Sequence, residues 1–86
     1  MKSQPFTLAE DLYALSALAP TISVEQRVAQ YLQVIETSSS LAHREKWMDQ
    51  IAGYMHALED LDLLTAEQWV LLRELVTRAS LRSNLA

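Results

Sequence analysis

The 86-residue chain has no cysteine, one glycine, two prolines and one phenylalanine. Without cysteine there is neither a disulfide nor a thiolate metal site, so stability must come from packing alone. A single glycine excludes a glycine-rich loop that cradles phosphate, and no glycine-framed serine is present to act as an exposed nucleophile. Long apolar runs are missing too. No stretch approaches the ~18–20 uninterrupted apolar residues of a membrane span, so no membrane partner is expected. The start, Met1-Lys2-Ser3-Gln4-Pro5-Phe6-Thr7, lacks the apolar segment of a signal peptide, and a cytoplasmic location is the expectation. Positive charge is scarce: 7 Lys and Arg stand against 11 Asp and Glu, for a net charge of −4. That balance argues against an extended phosphate-binding surface.

What the chain does have is apolar content, half of its residues, and almost all of it falls at helical spacing. Thr7 with Glu10 forms a capping-box pair that opens a helix carrying Leu8, Leu12, Leu15 and Ala19 on one face. Pro20 stops it. Ser23 with Gln26 is a second such pair, followed by Val24, Val28, Tyr31, Leu32 and Ile35 in an amphipathic pattern. Thr37-Ser38-Ser39-Ser40 ends that helix, because hydroxyl side chains compete for backbone hydrogen bonds, and Ser40 is placed to cap the next. Met48, Ile51, Met55 and Leu58 form the seam of the third helix, with Trp47, Tyr54 and Leu61 beside it. Gly53 within it points to close approach of another helix. Thr65 with Gln68 makes a third capping pair, with Leu64 and Trp69 as a hydrophobic staple.

The pattern predicts an all-α fold: one four-helix domain over 1–86, with helices at about 8–18, 24–36, 41–61 and 66–82. Residues 1–6 and 83–86 are expected to fray. Only Asp62, Leu63 and Leu64 separate the last two helices, so they should form an antiparallel hairpin that serves as the skeleton. The apolar content of so small a chain favours a homodimer that completes its core by association.

Candidate chemistry is sparse. Glu45, Asp49, His56 and Asp60 share a stripe of the third helix, yet their spacing matches neither Glu-x-x-His nor His-Glu-x-x-His. A solvated helix face explains the stripe better. No catalytic residue, metal or cofactor is assigned. Glu59, Asp60 and Asp62 crowd the carboxyl end of that helix, where the macrodipole disfavours anions. Either Lys46, Arg73 or Arg78, from this chain or from a second copy, neutralises them, or they form an acidic docking rim.

The favoured reading is a non-enzymatic protein–protein interaction module: a regulator, adaptor or stoichiometric inhibitor that docks on a larger protein, of a size and charge that suit phage or mobile-element origin. Its partner-binding residues would be Glu59, Asp60, Asp62, Glu67 and Trp69. The alternative is a dimeric DNA-binding transcriptional regulator with a helix-turn-helix-like element around residues 24–50, contacting nucleic acid through Ser39, His43, Arg44, Lys46 and Gln50.

Overall fold

The computed structural model describes residues 7–83 as four helices: α1 (Leu8–Leu18), α2 (Ile22–Glu36), α3 (Leu41–Asp60) and α4 (Ala66–Arg82). The fold is all-α, as the periodicity requires. Both outer capping boxes form in full. The Thr7 hydroxyl accepts from the Glu10 N–H while the Glu10 carboxylate accepts from the Thr7 N–H, and Thr65 and Gln68 do the same. Ala19, held extended by the proline that follows, ends α1. The Thr37 and Ser38 hydroxyls donate back to the carbonyls of Gln33 and Val34 and close α2.

One boundary differs from expectation. Thr21, not Ser23, caps α2, accepting from the Val24 N–H at 3.1 Å, so the helix begins at Ile22. The hydroxyl that wins is the one that follows Pro20, where the chain is already extended.

Cross-links between helix ends give the direction of each helix. Arg44 at the start of α3 reaches Ser80 and Ser83 at the end of α4. Gln68 at the start of α4 donates to the Leu18 carbonyl at the end of α1. Arg82 at the end of α4 pairs with Glu36 at the end of α2. The bundle therefore runs up-down-up-down, with α2 and α4 parallel across a diagonal. That diagonal is in direct contact, whereas α1 and α3 do not touch. The α3–α4 hairpin forms and is antiparallel, but it is not the skeleton. The core is the α2–α4 pair, flanked by α1 on one side and α3 on the other. Val28, Leu32 and Ile35 of α2, Leu72 of α4 and Leu15 of α1 are completely buried. A single chain thus seals its own core.

Gly53 also departs from expectation. A methyl group built there would meet nothing within 4 Å, so no helix approaches it. The reason is that α3 leans on α2 through Tyr31, whose ring lies 6.1 Å from both Trp47 and Tyr54, and turns its Gly53 side to open space.

A further departure concerns the carboxyl end. Ser83, expected to fray, is buried, and its hydroxyl donates to the Ser80 carbonyl while accepting from Arg44. Two arginines pin this end of α4. The expected fraying of 1–6 and 84–86 lies outside the described residues.

Candidate functional site

Two clusters of charged groups stand out, one at each end of the bundle. The first was not read from the sequence. Asp11 of α1 is completely buried, and its two carboxylate oxygens accept from Arg78 at 3.0 Å and Arg82 at 2.7 Å. Arg82 donates in addition to Glu36 at 2.9 Å. Burial alone would depress the Arg82 pKa, but its hydrogen bonds to Asp11 and Glu36 outweigh that and hold it above the ordinary value. The network ties α1, α2 and α4 together. A signal was present: Asp11 sits in the Leu8, Leu15, Leu18 seam, and Arg78 and Arg82 are one turn apart on α4.

The opposite end is different. At the end of α3 the Leu63 N–H donates to the Leu58 carbonyl (2.8 Å) and the Asp62 N–H to the Glu59 carbonyl (3.0 Å). These are the paired bonds of a Schellman stop. The residue that must turn left-handed is Asp62, at φ 60°, where glycine is the usual occupant. This turn brings Glu59, Asp60, Asp62 and Glu67 to one end of the bundle, all exposed. Around them Leu61 and Val70 are 68% and 60% exposed, and Leu63 and Leu71 also face solvent.

The cations that were candidates to neutralise this end are engaged elsewhere. Arg78 binds Asp11 and Glu74, Arg73 lies over the Trp69 ring at 5.7 Å, and Lys46 lies over Trp47 at 5.9 Å. Among the described residues, the one ion-pair contact of the four acids is Glu59 with His56, at 3.9 Å.

Trp69 connects this end to the flank of the molecule. Its ring lies 5.6 Å from that of His56 across the α3–α4 interface, and its indole N–H is buried with no hydrogen-bond partner. Both residues line a groove of about 460 Å³ between α3 and α4. A cavity of about 330 Å³ between α2 and α3 is lined by Tyr31, Trp47, Gln50 and Arg27.

Of the residues of the nucleic-acid alternative, His43, Lys46 and Gln50 are exposed at i, i+3 and i+7 on α3, whereas Arg44 is engaged by α4. Arg44 turns onto α4, donating to the Ser80 carbonyl and Ser83 hydroxyl. His43 accepts a hydrogen bond from the Trp47 indole at 2.9 Å, and Lys46 covers the same ring. Ser39 and Gln50 are exposed. Of the polar stripe on α3, Glu45 and Asp49 lie beside the α3–α4 groove, and no group of three or more His, Asp or Glu among the described residues is placed to hold a metal ion. Nor is any described helix long and apolar enough to cross a membrane.

Comparison with models of known protein families, with curated proteins and with solved structures finds no match to this chain. The functional reading therefore rests on the geometry of the two ends.

Proposed function

We propose that the chain is a non-enzymatic protein-interaction module, a regulator, adaptor or stoichiometric inhibitor that docks on a larger protein through its α3–α4 turn end. One observation carries the reading: four carboxylates, Glu59, Asp60, Asp62 and Glu67, stand beside four exposed apolar side chains with no lysine or arginine in ion-pair reach among the described residues. Glu67 suits the first turn of α4, but folding does not favour Glu59, Asp60 and Asp62 where they stand. Anions at a helix carboxyl end are disfavoured by about 0.3–1 kcal/mol each, and Asp62 occupies a left-handed position better suited to glycine. Local rules broken without internal compensation are expected where a surface works. The complementary surface is apolar with a basic border.

The test is affinity capture from nuclease-treated host lysate with the wild type and with Glu59→Lys/Asp60→Lys. Both substitutions place a cation at a helix carboxyl end, so the variant folds at least as well as the wild type. A protein captured in near-stoichiometric amount by the wild type and lost by the variant supports docking through this end. Equal capture by both removes it.

A further inference from the structure

We propose that the hollow between α2 and α3 is a site for a nucleotide, whose base stacks against Tyr31 and Trp47 and whose phosphate is met by Arg27. The site stands on the flank of the bundle and does not depend on the docking end above.

Charge is the first observation. The chain is acidic overall, yet no carboxylate lines this hollow of about 330 Å³. No Asp or Glu occurs between Glu25 and Glu36 on α2, and Glu45 and Asp49 of α3 border the hollow on the α4 side instead. Arg27 lines the hollow, with its guanidinium 5.9 Å from the Tyr54 ring centroid. Lys46 lies over Trp47, also at 5.9 Å. Neither cation has an ion-pair partner among the described residues. A guanidinium resting on a ring keeps its edge N–H groups available to an anion. The charge balance that argues against an extended phosphate surface still leaves room for a site that takes one anionic group.

Ring surface and amides select the rest of the ligand. Tyr31 and Trp47 are half-buried, tilted by 57° with centroids 6.1 Å apart, and both border the hollow. The Trp47 indole N–H already donates to His43, so this ring offers π-surface on which a flat group stacks. Gln30, Gln33 and Gln50 border the same space, are exposed, and make no side-chain hydrogen bond within the described residues. A glutamine amide sets a donor beside an acceptor, the complement of a base edge. A hydrocarbon ring would gain nothing from these amides. The volume stands at the low end of the ~300–1,000 Å³ of small-ligand sites, which suits one nucleotide and not a docked helix.

Gly53 is an independent observation. Glycine inside a helix is destabilising, and no protein atom lies within 4 Å of where its side chain would begin, so packing does not require it. Lys46, Gln50 and Gly53 follow at i, i+4 and i+7 on one stripe of α3. Helical side chains lean toward the amino end, so a side chain at position 53 would lie over Gln50 and cover the mouth of the hollow. Its absence keeps the hollow open.

The probes are the common ribonucleoside monophosphates, their nucleosides and ribose phosphate, titrated while the indole N–H resonances of Trp47 and Trp69 are followed. At least one monophosphate should shift Trp47 and leave Trp69 in place. Its nucleoside and ribose phosphate should each bind about tenfold more weakly or worse, since each lacks half of the contacts. Arg27→Ala, at an exposed position, should weaken the monophosphate by about tenfold. Gly53→Leu, which folds at least as well as the wild type, should weaken it by a similar factor. A homo-oligonucleotide of the same base separates the sources. Tighter binding with a steep salt dependence assigns the site to a nucleotide within a single strand, and equal or weaker binding assigns it to the free nucleotide. No shift with any monophosphate, shifts of Trp69 alone, or a nucleoside that binds as tightly as its monophosphate would overturn the inference. So would binding that survives Arg27→Ala or Gly53→Leu at full strength. A concentration-dependent mass in sedimentation that Gly53→Leu abolishes would overturn it too, since the hollow would then hold a second copy.

Discussion

The two ends of this bundle treat charge in opposite ways. At the end where α2 and α4 finish, Asp11 is buried and each of its oxygens is held by an arginine, and Arg44 donates to the Ser80 carbonyl and the Ser83 hydroxyl at the end of α4. At the other end four carboxylates stand in solvent beside exposed leucines and a valine. The first arrangement is what a chain needs to hold three helices in register: a buried charge is tolerable only when it is paired and hydrogen-bonded. In the second, Glu67 suits the first turn of α4, but Glu59, Asp60 and Asp62 at the carboxyl end of α3 work against folding. The comparison separates residues that hold the fold from residues free to meet a partner.

The largest break comes at the closed end. Asp11→Ala leaves Arg82, whose side chain is 6% exposed, without its main anionic partner, and should cost about 3–5 kcal/mol. Since domains of this size hold only about 5–15 kcal/mol in total, urea titration should show a partly or wholly unfolded protein. Less than ~1 kcal/mol lost would mean that the network is dispensable. At the open end the sign reverses. Glu59→Lys/Asp60→Lys should raise the thermal midpoint, by about 0.3–1 kcal/mol for each charge turned to complement the dipole, while abolishing capture of the partner. Gly53→Ala should add about 0.5–1 kcal/mol, since glycine inside a helix is that much worse than alanine and the added methyl meets nothing. A decrease would show that α3 is covered where it stands open. Smallest of all, Asp62→Gly should gain a few tenths of a kcal/mol by relieving the left-handed backbone, measured as a shift in denaturation midpoint. Loss of stability there would assign Asp62 a folding role and weaken its place in the rim.

Much of the fold was legible because its signals are local. Thr7, Thr65 and Pro20 act within three or four residues of themselves; α1 begins and ends, and α4 begins, where those residues dictate. The Ser23–Gln26 pair misled because two hydroxyls compete within three residues, and the one already extended after Pro20 prevailed. Gly53 misled because a glycine reports freedom of the backbone and carries no information about which neighbour uses it. The acidic rim was legible as a run of like charge at a helix end. Its isolation from Arg73, Arg78 and Lys46 was not, because each of those cations lies far along the chain or on another helix and chooses its partner in three dimensions.

Composition and periodicity by themselves determined that this protein is all-helical, where its helices begin and end to within a few residues, and that its charge gathers near residues 59–67. These depend on hydrogen bonds and hydrophobic faces that repeat within a helical turn. Tertiary structure alone decided that α2 and α4 form the central pair, that Asp11 is buried among arginines 67 and 71 residues away, and that α3 and α4 leave a groove between them. Those outcomes follow from how four amphipathic faces share one core. That is a competition between whole helices, and no local pattern records its result.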